Sequence, residues 1–372
     1  MQDSQLRGNR APRALKLETF EERLAFSVQP VGDFFLDSFQ AGQGELEQFG
    51  QGELEQFVAN GNAWTGLSQV RNEYGFTGAG QTVVVIDSGI AYDHAALGGG
   101  FGANYRVVGG WDFAENDANP YDDGAAGGHG THVAGIIGST NGTYPGDAPG
   151  VDLVGLRVFN DSGAGYFSWV ESALQWVHQN RNSFENRITT VNLSLGSTAN
   201  DNTTPGWAML EEEFAQLRAD GIFISVAAGN AFTSYNSAGL SYPGSSSHVV
   251  PVASADDNGA LSYFSQRNSR VIVAPGRSVM STVPDYIGNL NGQNDDFARM
   301  SGTSMAAPYL AGASTLIREA FAFGGNLSVS QDDIYNWIRN TADTVFDAAT
   351  NQNYLRLNLD RAIDSLMPAD DF

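Results

Sequence analysis

The chain of 372 residues contains no cysteine. Disulfides, thiolate catalysis and cysteine-ligated zinc are therefore excluded, and any stapling of the fold falls to packing or to hard, oxygen-bound cations. That absence leaves the cellular compartment open. Positive charge is scarce as well: 19 Lys and Arg face 42 Asp and Glu, for a formal net charge of −23. Phosphate contacts need clustered Lys and Arg, so no nucleic-acid partner is expected. Long apolar runs are also missing. None approaches the roughly 18 residues of a membrane span, and the longest, such as TVVVI before Asp87, have the length and β-branching of buried strands. A soluble protein without a membrane partner is expected. The N-terminus carries Arg7, Arg10, Arg13 and Lys16 without an apolar core behind them, so no ordinary secretory signal is read there.

What is present divides the chain in two. Residues 1–62 are polar and contain the eight-residue repeat GQGELEQF twice, at Gly42–Phe49 and Gly50–Phe57. Two copies are too few for a solenoid, and a period of eight fits neither a heptad nor a helical stripe. This part reads as an extension, either a flexible acidic linker or a pro-segment. From residue 63 to 366 the pattern changes to one large domain, followed by a tail at 367–372. QTVVVID, VDLVGLRVF, ITTVNLSLG, GIFISVAAGN, HVVPVASA and SRVIVAPG read as strands, and such Val/Ile-rich runs suit a parallel sheet buried on both faces. Residues 169–180 and 207–221 read as helices between them, with Gly221 placed to end the second. Ser330 stands as N-cap of a further helix, with Asp332 and Asp333 in its first turn. The fold class is α/β: a doubly wound, mostly parallel sheet flanked by helices.

Three segments put a reactive side chain where a strand or loop meets a helix. VVVIDSGI delivers Asp87 from a strand into a glycine turn, which by itself also fits a structural aspartate. GGHGTHVAGIIG carries His129 and His132 three apart; zinc prefers an i, i+4 pair with a third ligand, and no HExxH or CxxC exists. SGTSMAAPYLAGAS sets Ser304 just ahead of an Ala-rich helical stretch, where a serine can be a simple cap. No GxSxG elbow surrounds Ser304, which disfavours a lipase or esterase.

Taken together, DSG, HGTHVAG and GTSMAAP, in that order, resemble the three signatures of the subtilisin-like (S8) serine proteases, over roughly residues 63–365. The resemblance implies a Ser304 nucleophile, His129 as general base and then acid, and Asp87 as the group that orients the imidazole. His132 is then structural. Asn230, at the end of SVAAGN, matches the side-chain oxyanion donor, with the Ser304 backbone N–H as the second. Gly163, Ala164 and Gly165 resemble one edge that pairs with an extended peptide, and Ser194, Leu195 and Gly196 the other. Ala227, Ala228 and Gly229 match the walls of the primary pocket and Ser241 its floor, all small and uncharged. Phe167 and Val170 match a second apolar pocket.

The implied activity is serine endopeptidase action on extended polypeptides, preferring large apolar residues before the cut. A processing protease with one substrate, and an inactive binding module on the same scaffold, are the alternatives. The expected enzyme is a secreted or cell-surface monomer that needs no cofactor for catalysis. The family's inhibitory pro-domain is not recognisable in residues 1–62. A frequent calcium site of the family is not matched either, since Ala96 replaces its acid. WDFAENDANPYDDG resembles the thermitase-type calcium loop instead, so Asp112, Glu115, Asp117 and Asn119, in the stretch from Asp112 to Asp123, are the expected ligands of a structural Ca²⁺.

Overall fold

A computed structural model describes residues 64–124 and 127–367. The expectations for residues 1–62, and for the tail beyond 367, lie outside the described residues. Eleven strands are placed among these: β1 (Thr82–Asp87), β2 (Val107–Asp112), β3 (Asp152–Arg157), β4 (Ile188–Leu193), β5 (Phe223–Ala227), β6 (Val250–Ala255), β7 (Ile272–Pro275), β8 (Val279–Thr282), β9 (Phe297–Met300), β10 (Asp343–Asp347) and β11 (Gln352–Arg356). Nine of them form one sheet in the order β10-β11-β7-β6-β5-β4-β1-β3-β2, and β8 with β9 makes a separate antiparallel pair. Every pairing in the large sheet is parallel except β10 with β11.

The helices that matter here are α1 (Leu67–Glu73), α2 (His129–Gly138), α3 (Phe167–Asn180), α4 (Glu211–Ala219), α5 (Thr303–Phe323), α6 (Gln331–Thr341) and α7 (Leu359–Asp364). Apolar residues of α1, α2, α5, α6 and α7 share one core with one face of the sheet. Those of α3 and α4 share a second core with the other face. Both faces of β1 are therefore covered, which is why its six residues are all buried and why its sequence does not alternate. The fold is the expected doubly wound α/β arrangement.

Boundaries differ from the sequence reading in explicable ways. α4 begins at Glu211 rather than 207, because Glu211, Glu212 and Glu213 fill its first turn, where negative charge is favoured. Trp207 instead lies in the turn before it, 40% exposed. Ser330 does cap α6, in a capping box with Asp333. The hairpin β10–β11 has no counterpart among the strands read from sequence; it extends the sheet by pairing β11 with β7.

The chain runs from β1 to the outer β2, back to β3 beside β1, and then to β4 on the other side of β1. This reversal puts the topological switch point at the carboxyl ends of β1 and β4, the position where open α/β sheets place their ligands.

Candidate functional site

Asp87 is the last residue of β1 and is 1% exposed. His129 is the first residue of α2, and its Nδ1 lies 2.7 Å from Asp87 Oδ1. Gly130 makes this approach possible. A Cβ there would stand 2.1 Å from the carbonyl oxygen of Gly89, so a side chain would push α2 off the turn that follows β1. Burial pulls the His129 imidazole towards the neutral form. The charge and hydrogen bond of Asp87, joined by the charge of Asp122, outweigh that, leaving its pKa raised above the ordinary histidine value.

His132 behaves differently. Burial, and then its neighbour His129, drive its pKa down to about 3. It is therefore neutral, and its Nε2–H faces the carbonyls of Val279 and Ala298 at 3.0 and 3.1 Å. It ties α2 to the β8–β9 pair, in line with a structural role.

Ser304 is the second residue of α5, and Pro308 lies one turn further on. Proline has no N–H, so the Ser304 carbonyl loses its helical partner. The hydroxyl of Ser194 donates to that carbonyl at 2.7 Å, and the Ser304 hydroxyl donates to the Ser194 carbonyl at 3.2 Å. Ser194 directly follows β4, whose Leu193 is in register with Ile86 of β1. The serine is thereby seated on the segment beside the strand that carries Asp87.

Asn230 lies three residues past β5. Its Oδ1 accepts the Thr303 N–H at 2.9 Å and the Thr303 hydroxyl at 3.0 Å. With Oδ1 occupied, Nδ2 turns the other way. A Cβ on Gly302 would stand 3.4 Å from that nitrogen and 3.6 Å from the Ser304 backbone nitrogen, so the two donors border one small space.

The peptide-edge residues are placed at the rim and beneath it. Gly163 and Ala164 are half-buried in a loop held by the Asn160 side chain, while Gly165 is buried and bridges to Phe159. Ser194 and Leu195 are buried in extended chain, and Gly196 is half-buried. Ala227, Ala228, Gly229 and Ser241 come together, with the Ser241 N–H on the Ala228 carbonyl at 2.9 Å. A Cβ on Gly196 would meet the Ser241 hydroxyl at 2.3 Å, so the Gly196 segment and Ser241 close on each other. The Ser241 hydroxyl is itself taken up by the Ser197 carbonyl at 2.6 Å. Gln266, which no sequence signal marks, is buried behind this wall with its side chain against Gly229.

The residues expected at a second apolar pocket, Phe167 and Val170, lie largely beneath the surface. Val170 is fully buried and Phe167 nearly so, because both lie on the inward stripe of α3 within the core. The Phe167 ring packs on Tyr242 and Trp207, with centroids 5.5 and 6.0 Å away, and Trp207 is the aromatic that reaches the surface.

The acidic loop departs from the expectation of a calcium site. Asp112 Oδ1 accepts the N–H groups of Ala114 and Glu115, and Asp112 Oδ2 lies 2.8 Å from Arg157 Nη1. Asp117 accepts the Asn119 N–H, and the Asn119 side-chain oxygen accepts the Tyr92 hydroxyl. Among the described residues no three acidic or imidazole side chains converge as a metal site. The physical reason is Arg157, the last residue of β3, which stands in register with Asp112. Its Nη1 also lies 3.3 Å from Asp123 and 3.9 Å from Glu115, and its Nη2 2.5 Å from Asp161. A guanidinium sits where the sequence suggests a metal cation, and these side chains do not fit calcium.

The Subtilase family (Peptidase S8) matches residues 78–356. Subtilisin E of Bacillus subtilis is 31% identical over 259 residues, covering 68% of this chain and 60% of the relative. Alkaline elastase YaB of a Bacillus species is 35% identical over 271 residues, covering 72% of this chain and 61% of the relative. The chain thus spans about three fifths of the length of these curated relatives. Among solved structures, a cold-adapted subtilisin-like serine proteinase superposes with a TM-score of 0.59 at 29% identity, covering 76% of this chain and 89% of the other.

Proposed function

The chain belongs to the subtilase family, and from that premise we propose that it is a serine endopeptidase acting through an acyl-enzyme on Ser304. The observation that carries this reading is the 2.7 Å bond from His129 to Asp87, with the Ser304 hydroxyl and the Asn230 amide held at the same end of the sheet. A serine hydroxyl is a poor nucleophile at neutral pH. His129 takes its proton through Nε2 as Oγ bonds to the scissile carbonyl carbon, while Asp87 stabilises the imidazolium that forms. The carbonyl oxygen becomes an oxyanion and accepts from Asn230 Nδ2 and the Ser304 N–H. Collapse of the tetrahedral species breaks the C–N bond, and His129 returns the proton to the leaving amine. Water then repeats the sequence on the ester and frees Ser304.

The substrate is an extended polypeptide laid between the 163–165 and 194–196 segments by strand addition. The walls at Ala227, Ala228 and Gly229 carry no charge and little bulk, which favours a large apolar side chain before the cut. Trp207, above the buried Phe167, offers the exposed apolar surface further along. Catalysis in this family needs no cofactor, and in the 112–123 loop Arg157 supplies the positive charge. The net charge of −23 supports a soluble, monomeric enzyme through mutual repulsion, and the likeness to subtilisins supports a secreted one. Among the described residues no helix is long and apolar enough to cross a membrane.

The test is labelling with a fluorophosphonate probe, alongside hydrolysis of an unstructured protein such as casein. Labelling and hydrolysis by the parent, both lost in Ser304→Ala, are expected. A parent that neither reacts nor cleaves, or a Ser304→Ala protein that still cleaves, would overturn the reading.

A further inference from the structure

Asp122 is a fully buried carboxylate that the mechanism above does not use. Its Oδ1 accepts the Gly128 N–H at 2.9 Å and the Ser88 hydroxyl at 3.0 Å. Its Oδ2 accepts the Thr131 N–H at 3.0 Å and the Thr131 hydroxyl at 2.6 Å. The Ser88 hydroxyl oxygen in turn accepts the Gly130 N–H at 2.9 Å. The amides on both sides of His129 therefore hang on this one carboxylate, directly or through Ser88.

Helix starts leave such amides unpaired and usually satisfy them with a side chain at the N-cap. Here the N-cap is Gly128, at φ 89°, which has no side chain to offer. Asp122 supplies the cap from a separate loop. That loop is anchored in turn, since the Tyr286 hydroxyl donates to the Asp122 carbonyl at 2.7 Å. Ser88 follows Asp87, and its own N–H donates to Asp87 Oδ1 at 2.8 Å. The Asp122 carboxylate thus touches the turn that carries Asp87 and the helix turn that carries His129.

We propose that Asp122 is a positioning residue for proteolysis, holding His129 against Asp87 by clamping the Asp87-Ser88-Gly89 turn to the first turn of α2. The proposal rests on the serine-protease reading above. It also has an electrostatic side. The charge of Asp122 favours the imidazolium of His129, while burial raises the pKa of Asp122 itself to about 6 against the pull of its hydrogen bonds. The charged or titratable groups facing this cluster are Asp87, His129, Tyr286 and, adjacent in the chain, Tyr121 and Asp123, with Arg157 beyond Asp123; His132 lies behind His129.

The experiment compares the parent with Asp122→Asn, Ser88→Ala and Thr131→Val in the full chain, using a chromogenic peptide amide from pH 5 to 10. For Asp122→Asn we expect kcat to fall about 10- to 100-fold, since small misplacements of reacting groups cost that much, with KM within twofold. The acid limb of kcat/KM should move to lower pH, because the imidazolium loses a neighbouring anion. A purely structural acid would change the folded fraction and leave the limb where it was. A kcat within threefold of the parent, or an unmoved limb, overturns the proposal. Should Asp122→Asn fail to fold, Ser88→Ala and Thr131→Val decide: each removes one strut, and parental kcat in both overturns it. A parent without activity would sink the protease reading instead. The His129 titration can then be followed by NMR in Ser304→Ala, where the Asp122→Asn change should still lower the imidazole pKa, and an unchanged pKa overturns the coupling.

Discussion

Thr303 donates both its backbone N–H and its hydroxyl to Oδ1 of Asn230, at 2.9 and 3.0 Å. An asparagine amide is nearly symmetric in shape, so its orientation is set by what its oxygen accepts. Two donors on Oδ1 leave Nδ2 as the group that faces the space beside Ser304. That pairing fixes which atom of a residue just past a strand end is offered as the donor in the mechanism proposed above.

Asn230→Leu should therefore lower kcat by about 10²- to 10³-fold with KM little changed, because the donor acts on the transition state. That range is the loss known for the oxyanion-hole asparagine of subtilisin, a member of the same family. Thr303→Val should give a smaller fall in kcat, since the backbone N–H still holds Oδ1. Steady-state kinetics normalised to active sites by fluorophosphonate burst would check both. A loss confined to KM in the leucine variant counts against the role.

The proposed triad positions are legible in the sequence because each lies in a local signal: a continuous apolar strand before Asp87, small residues around His129, and an Ala-rich run after Ser304. Strands β1 and β3 to β7 are legible for the same reason, whereas the glycine-bearing outer β2 and the polar β10–β11 hairpin are not. The burial of Phe167 and Val170 is not legible from the motif match, because only the docking of α3 on the sheet turns the face they share inward. Arg157 is not legible as the partner of Asp112, since only the β2–β3 register brings residues 45 apart in sequence together. Asp122 is hidden similarly: its partners Ser88 and Thr131 come from separate segments, joined only once α2 docks on the end of β1.

The raised pKa of His129 sets the pH dependence. Only the neutral imidazole can take the serine proton, so kcat/KM should rise with pH along an acid limb centred above roughly 6.5, the ordinary histidine value. Stability runs in the opposite sense. A histidine whose folded pKa is raised contributes stability below its unfolded pKa, and that contribution is lost as pH rises through the folded value. Rate profiles of the parent and thermal unfolding of Ser304→Ala between pH 5 and 9 test both directions. An acid limb below about pH 6 would contradict the Asp87 coupling.

Arg157 makes a prediction about metal. Its side chain and that of Asp112 are almost fully buried, at 3% and 1% exposure, and breaking a buried pair from one side typically costs about 3–5 kcal/mol. Arg157→Met should therefore lower the melting temperature sharply, by leaving Asp112 without its counter-charge. In the Ser304→Ala background the parent should unfold at the same temperature in calcium as in EGTA. The Arg157→Met protein should be partly rescued by calcium, by about 2.7 kcal/mol if the ion reaches a hundredfold excess over its Kd. A parent stabilised by calcium through this loop would show that the guanidinium does not take the ion's place.

Asp147 presents the reverse situation, a buried acid with too little to hold it. It is 3% exposed, and its Oδ2 has no hydrogen-bond partner among the described residues. Burial raises its pKa well above the usual carboxylate value, opposed only by the charge of Arg71, whose guanidinium is bonded to the neighbouring Gly146 carbonyl. The backbone fixes the position, because the Asp147 N–H donates to the Ile136 carbonyl at 2.8 Å and its Cβ packs against Gly312 of α5. A folded pKa raised above the unfolded one means that the folded state holds its proton longer, so stability falls as pH rises from about 4 towards the folded pKa. Replacing the acid with a neutral group of similar size removes that loss. Asp147→Asn and Asp147→Val should both stabilise the Ser304→Ala protein at pH 8, because neither carries an acid that the folded state must keep protonated above its ordinary pKa. The gain should shrink as pH falls and be absent below about pH 4, where the acid is protonated in both states. Urea unfolding at pH 4, 6 and 8 reads this directly. If both variants were less stable than the parent at pH 8, Asp147 would have to be ionised and held by Arg71 after all, and the same pair of residues would then rank as a stabilising buried ion pair.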